Sequence, residues 1–178
     1  YVASALNLLT KTLLEQGRQE EAEQLAEASI QIFKEAGVKP DSWTFNDARR
    51  NMADILVAQG KWGKALEIYT QIEHDLVTDL PTFEKYFSGN LNWAFAQFHT
   101  GNIEAAATIS ENIYKTKKNQ VGEKHYETAE ALGFLAATQV VTNDLKAALT
   151  NFRKSVPILV SRSRQSHGEQ NSQAFRRQ

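Results

Sequence analysis

A turn-forming residue recurs at nearly constant spacing along this chain of 178 residues. At four places a glycine or asparagine stands five positions before an alanine, and the intervals between these places are 43, 41 and 42 residues. The four turn residues are Gly17, Gly60, Gly101 and Asn143. A fixed period of this size is typical of a solenoid, in which each unit is a helical hairpin that buries its apolar face against its neighbours. The spacing therefore predicts an all-α solenoid of about four hairpins.

The composition agrees with long helices in a protein that binds neither nucleic acid nor membrane. Only 9 glycines and 3 prolines interrupt the chain, and its net charge of −1 lacks the basic excess of a nucleic-acid binder. No run approaches the 18 or so apolar residues that a membrane span needs. The absence of cysteine excludes disulfides and thiolate metal sites and fits a cytoplasmic location. Because the sequence opens on tyrosine rather than methionine, we expect a fragment or processed product of a larger protein.

Apolar residues at helical spacing predict hairpins over about 2–36, 42–78, 82–118 and 124–156, within a solenoid spanning 1–160. The first helix of the third pair is expected to begin at Leu80-Pro81-Thr82 and to reach the turn at Gly101. The polar stretch Lys115–Glu123 is expected to connect the third pair to the fourth. Pro157 should kink or end the last helix near Val156. Residues 161–178 are then a polar, basic linker or tail that has little to bury and could be disordered.

The repeats resemble tetratricopeptide repeats, whose signature is a glycine turn followed by Asp or Asn, an aromatic or aliphatic residue and then an alanine. Gly60-Lys61-Trp62, followed by Ala65 and Tyr69, is the best match. The 42-residue period is similar to that of the kinesin-light-chain subtype. The resemblance implies a right-handed superhelix that serves as a non-catalytic scaffold, with a concave groove that receives a peptide or protein segment.

A second resemblance concerns the end of the chain. Residues 152–165 are similar to the segment that follows the repeats in bacterial CHAT proteins, which join tetratricopeptide repeats to a caspase-like cysteine protease domain. This resemblance implies an alternative function, as the regulatory region of a bacterial CHAT-type protease whose catalytic residues lie outside this chain. The apolar first helix, with Val2, Leu6 and Leu9, leaves a third possibility, which is self-association or contact with another domain of the same protein.

The candidate ligand-binding residues follow from aligning the four turns. This alignment makes Leu8, Asn51, Asn92 and Phe134 equivalent. In the family, an asparagine at this position commonly bonds the ligand's backbone, because an amide both donates and accepts. The alternative is that the two asparagines are solvated or cap a neighbouring helix. The candidate set comprises Asp47, Arg50, Asn51, Asp54, Asn92, Phe95, His99 and Phe134.

No pattern in the sequence indicates catalysis, a cofactor or a metal. The four histidines lack the spacing of three to five residues that would pair two of them on one helix face. Phosphate-binding glycine loops, serine nucleophile elbows and zinc-protease helices are also missing. We therefore expect a chain with no catalytic, cofactor or metal site of its own, whose partner is a protein or peptide.

Overall fold

The computed structural model describes the backbone of residues 2–175 and the side chains of residues 2–162. All regular structure in these residues is α-helical. The helices are α1 (Val2–Glu15), α2 (Gln19–Glu35), α3 (Trp43–Ala58), α4 (Trp62–Asp75), α5 (Leu80–Tyr86), α6 (Leu91–His99), α7 (Ile103–Val121), α8 (Tyr126–Val141) and α9 (Leu145–Phe175). They form two compact units, Tyr1–Asn102 and Ile103–Gln178. None of the described helices is long and apolar enough to cross a membrane.

The four predicted turns share one backbone geometry. Gly17, Gly60, Gly101 and Asn143 all have positive φ, between 62° and 88°. At each turn this residue donates its N–H to a carbonyl three positions back, and the next residue donates to one five positions back, as Lys61 does to Leu56 at 2.8 Å. This is the Schellman arrangement, which pairs the free carbonyls at a helix end and requires a residue that tolerates the left-handed conformation. The prediction of four helix-ending turns is confirmed.

The first unit is built on α3, which packs against α1, α2 and α4, while α6 packs against α3 and α4. Part of its core joins Ala3, Phe33, Phe45 and Ala48, with the two phenylalanine ring centroids 5.8 Å apart. Ala22 and Ala65, the alanines five residues after the first two turns, are fully buried. Small side chains at these positions let the helices of a pair approach closely.

In the second unit α8 packs between α7 and α9. Ala106 and Ala148, the remaining two alanines of the repeat, are also buried. Gly133 faces α9, where an added Cβ would make ordinary contacts, 3.4 Å from the Ser155 Oγ and 3.5 Å from the Leu159 Cδ1. The predicted third hairpin, 82–118, crosses the boundary between the two units, and its bounds stay a prediction.

The helix expected between Leu80 and the turn at Gly101 is interrupted. It forms two helices, α5 and α6, separated by residues 87–90. Asn90 begins α6, since its Oδ1 accepts the Asn92 N–H at 2.9 Å. Phe87 is buried to 3% exposure within the interruption. The sequence Ser88-Gly89-Asn90 breaks the helix because all three residue types favour turns over helix interiors.

Two helix ends also differ from prediction. The stretch expected to be a connection is helical over most of its length, because α7 continues to Val121. Helix α9 does not end near Val156, since it continues through Pro157 to Phe175, and the alternative of a kink at Pro157 stays a prediction. Pro157 is exposed, so the carbonyl that loses its helical partner there can be hydrated. Residues 161–175 therefore have helical backbone, residues 176–178 lie outside the described residues, and the division at residue 160 stays a prediction.

Candidate functional site

A groove of about 290 Å³ runs between α1 and α3 in the first unit. The residues that line it recur at intervals of three and four, so each helix contributes one face. Its lining consists of Ser4, Asn7, Leu8, Lys11, Trp43, Thr44, Asp47, Arg50 and Asn51. Three of the predicted site residues, Asp47, Arg50 and Asn51, are therefore brought together here.

Asn7 is the centre of the polar floor of this groove and is only 7% exposed. Its Nδ2 donates to the Thr44 carbonyl oxygen and to the Asp47 Oδ2, both at 3.4 Å. Its Oδ1 accepts from the Ser29 hydroxyl at 2.6 Å, and its backbone oxygen accepts from the Asn51 Nδ2 at 3.3 Å. These bonds join α1, α2 and α3, so the floor of the groove is held in one arrangement.

The Arg50 guanidinium forms the charged side of the groove. It pairs with Asp47 one turn earlier on α3, and its Nη1 donates to the Tyr86 carbonyl oxygen at 3.2 Å. Its Nε is buried without a hydrogen-bond partner. The guanidinium thus connects the groove to the end of α5.

Apolar and cationic side chains form the rim. Leu8 is 71% exposed and Trp43 is 52% exposed, although both are large and apolar. Lys11 is also exposed and follows Leu8 by three residues on the same face of α1. The groove therefore combines an apolar rim, one exposed cation and a polar floor. Trp43 was not among the predicted residues, although an aromatic residue directly after a helix cap is a signal that the sequence contains.

Asp54 lies on α3 beyond this groove and is engaged within the unit. Its Oδ1 accepts from the Tyr69 hydroxyl at 2.6 Å and from the Asn90 Nδ2 at 2.9 Å. Burial raises the pKa of the Tyr69 hydroxyl well above its usual range, and the charge of Asp54 adds to the rise. Asp54 thereby connects α3, α4 and the beginning of α6.

The other predicted residues of the first unit lie on α6. Asn92 and Phe95 are half-buried, and His99 ends the helix in an exposed position. The His99 ring stacks on Trp62 with centroids 4.0 Å apart and planes 12° apart. None of these three residues belongs to the lining of the groove between α1 and α3.

Phe134 lies in the second unit, half-buried on α8. Glu130, one turn earlier, holds the position that Asp47 holds on α3 when the turns are aligned. Burial raises the pKa of Glu130, and the nearby charge of Glu127 raises it further. Glu130 was not among the predicted residues, because its half-burial cannot be seen in the sequence.

A second, more open depression of about 450 Å³ lies on α4. It is lined by Gly63, Leu66, Glu67, Thr70, Gln71 and His74, all from that one helix, and contains none of the predicted residues. Among the described residues, no three histidine or carboxylate side chains are arranged to hold a metal ion. The groove between α1 and α3 is therefore the better candidate site.

Known proteins share this fold. Residues 2–36, which are α1, α2 and their turn, match the model of the tetratricopeptide repeat. No curated protein matches the sequence. Among solved structures, the chain is similar to a putative kinesin light chain with nearly identical TPR-like repeats from Podosopora anserina. The TM-score is 0.59 at 15% identity, and the match covers 91% of this chain and 77% of that one.

Two further structures show the same likeness. BtubC (BKLC) from P. vanneervenii has a TM-score of 0.65 at 16% identity, over 90% of this chain and 64% of that one. The apo form of RapI has a TM-score of 0.68 at 13% identity, over 94% of this chain and 59% of that one. This chain thus spans less than two thirds of these two proteins, and identities this low show the fold alone. Residues 2–36 match a tetratricopeptide repeat, and the chain has an all-α fold similar to that of tetratricopeptide-repeat proteins, among them structures with kinesin-light-chain repeats.

Proposed function

We propose that this chain binds an extended peptide or protein segment of a partner in the groove between α1 and α3. Its fold is that of a protein–protein interaction scaffold, and the comparisons do not show it to be an enzyme. The observation that carries the proposal is the combination of exposed Leu8 and Trp43 with the fixed polar floor around Asn7. Large apolar side chains that stay exposed beside ordered polar groups commonly mark a binding surface.

The chemistry of the lining indicates what such a segment would carry. An apolar side chain of the ligand would lie between Leu8 and Trp43 and remove both from water. A carboxylate of the ligand would approach Lys11. In the Asp47–Arg50 pair, Asp47 would accept hydrogen bonds from N–H groups of the ligand's backbone and Arg50 would donate to its carbonyl groups. At about 290 Å³ the groove lies near the lower limit of small-molecule pockets, roughly 300–1,000 Å³, so it suits individual side chains of an extended chain.

The predicted residues outside this groove extend the proposal to a longer ligand. Asn92, Phe95 and His99 lie on α6, which packs against α3 in the same unit. Asp54 would contribute mainly by fixing the start of α6 through Asn90. Phe134 would belong to a separate contact on the second unit.

A displayed library of random dodecapeptides, selected on the immobilised chain, tests this function. The double variant Leu8→Ser/Lys11→Ser should lose at least tenfold in affinity for the selected peptides, because it removes the apolar rim and the cation. Both residues are exposed, so its melting temperature should not change. Leu145→Ser is the matched control, since Leu145 is 58% exposed on the second unit. Selected peptides that bind the double variant and the parent equally well would exclude this groove as their site.

Two alternatives remain proposals. Self-association is supported by the exposure of Val2 and Leu9, at 66% and 47%, on α1. Light scattering at two concentrations tests it, and the mass of a monomer at both concentrations would exclude it. The role as a regulatory region of a CHAT-type protease rests on the sequence of residues 152–165. A Cys/His pair encoded beyond Gln178 would support that role, whereas a stop codon there would exclude it.

A further inference from the structure

Helix α5 buries little surface against the rest of the first unit. It has seven residues, and none of them is buried. Leu80 at its start is 57% exposed, and Tyr86 at its end is 42% exposed. The Phe83 and Trp93 rings form a T-shaped pair with centroids 5.7 Å apart, and Phe87, just after the helix, is buried. A segment with so little buried surface opens locally at a small fraction of the cost of global unfolding.

The end of α5 contacts two residues that line the groove. The Tyr86 ring stacks on Trp43, with centroids 5.5 Å apart and planes 21° apart. The Tyr86 carbonyl oxygen accepts a hydrogen bond from the Arg50 Nη1 at 3.2 Å. Tyr86 therefore contacts both the Trp43 ring and the Arg50 guanidinium, which line the α3 side of the groove.

These two contacts have the form of peptide recognition. An extended ligand is commonly held by a donor to its backbone carbonyl and by an apolar or aromatic surface for the adjacent side chain. Tyr86 supplies that carbonyl and that side chain from within the same chain. The Lys85 Nζ lies 4.9 Å from the centroid of the Tyr86 ring, which adds a cation–π contact to the docked arrangement.

We propose that Tyr86 is an internal ligand of the groove and that the partner segment displaces it with an aromatic residue of its own. This inference rests on the proposed function and specifies the chemistry of its ligand. The partner's aromatic ring takes the face of Trp43, and its carbonyl oxygen takes the Arg50 Nη1. Tyr86 occupies both positions in the free protein. Removing its side chain frees the face of Trp43 and leaves the carbonyl at Arg50 held by its hydrogen bond alone, so such a chain binds the segment more tightly than the intact chain does.

The probe is a synthetic peptide with the sequence of residues 80–88, LPTFEKYFS, fluorescein-labelled at its start and amidated at its end. Fluorescence anisotropy should show at least fivefold tighter binding to Tyr86→Ala than to the parent. The same peptide with alanine in place of its tyrosine should bind neither protein measurably. Adding Trp43→Ala to the Tyr86→Ala variant should abolish the gain. Equal affinity for parent and Tyr86→Ala, equal binding of the two peptides, or no binding to Tyr86→Ala would overturn the inference.

Hydrogen exchange gives a measurement that needs no peptide. In Tyr86→Ala the amides of α5 should exchange at least tenfold faster, while those of α1 keep their protection. Unchanged protection of α5 would show that Tyr86 does not hold the helix in place and would also overturn the inference. Library peptides that depend on Leu8 and Lys11 can still be selected in that case, so failure of this inference is distinguishable from failure of the proposed function.

Discussion

The Nδ2 of Asn51 donates to the backbone oxygen of Asn7, 3.3 Å away on the neighbouring helix. The side chain is almost fully buried, at 5% exposure. An amide in this position stabilises the contact between α1 and α3 whether or not a ligand is present. A ligand could reach only the part of the amide that this bond leaves free.

Replacing Asn51 should therefore cost stability. We expect Asn51→Ala to lower the free energy of unfolding by about 1 kcal/mol, the usual net value of one such hydrogen bond. Urea unfolding followed by tryptophan fluorescence is a suitable measurement, because Trp43, Trp62 and Trp93 all lie in the first unit. Lys11→Ala, on the exposed rim, is the control and should change stability by less than about 0.5 kcal/mol. Equal stability of Asn51→Ala and the parent would mean that this bond contributes nothing.

The Tyr69 hydroxyl should make the protein sensitive to alkali. Its raised pKa means that the folded state keeps the proton while the unfolded chain, with an ordinary pKa of about 10, loses it. The stabilisation is complete below about pH 10 and falls above it by up to about 1.4 kcal/mol per pH unit.

Comparing the parent with Tyr69→Phe isolates this contribution. Between pH 9 and pH 11 the parent should lose about 1 kcal/mol more stability than the variant, as measured by urea unfolding. At pH 8, Tyr69→Phe should be less stable than the parent, because the bond from the hydroxyl to Asp54 is lost. Parallel losses in the two proteins would show that Tyr69 does not titrate with folding.

The alanines after the turns should not tolerate larger side chains. Ala65 and Ala106 are fully buried, so a leucine at either position would have to displace its neighbours. We expect Ala65→Leu or Ala106→Leu to cost roughly 1–3 kcal/mol, the usual range for overpacking. Ala5→Leu, at an exposed position of α1, is the matched control. Thermal melts that do not distinguish the buried substitutions from this control would refute the close helix contacts.

Gly133 should respond in opposite directions to small and large side chains. Alanine should raise the stability of the second unit by about 0.5–1 kcal/mol, because glycine disfavours helix interiors and the new Cβ meets only ordinary contacts at 3.4–3.5 Å. Leucine should lower it by about 1–3 kcal/mol, because Ser155 and Leu159 leave no room for a long side chain. Hydrogen exchange of α8 reports both effects. A destabilising alanine would show that even a methyl group does not fit between α8 and α9 at this position.

The helix-ending turns were predictable because glycine and asparagine encode their geometry locally. The interruption between α5 and α6 was not predicted, although Ser88-Gly89-Asn90 carries turn-forming residues, because the apolar residues on both sides keep helical spacing. Pro157 was expected to kink or end a helix, since its local cost is high. Packing of Ser155 and Leu159 on α8 offsets that cost, and such tertiary contacts are invisible in a local pattern.

The candidate site was predictable only in part. Alignment of the turns identified Asp47, Arg50 and Asn51, which do line one groove. The same alignment predicted that Asp54 faces a ligand, which stays a prediction, and the structure adds that its Oδ1 accepts from Tyr69 and Asn90. Equivalent positions in different repeats lie on the same face of their helices, but the residues that they contact differ from one repeat to the next. Asn90 can donate to Asp54 because the helix is interrupted before α6, and the repeat pattern does not predict that interruption.

Each of the four helix-ending turns is closed by hydrogen bonds that span only three to five residues. Forming contacts between residues so near in sequence costs little chain entropy, so proteins dominated by local contacts fold quickly. The chain therefore has several independent places from which folding can begin. Its kinetics should tolerate damage to any one turn, since the others can still nucleate the neighbouring helices.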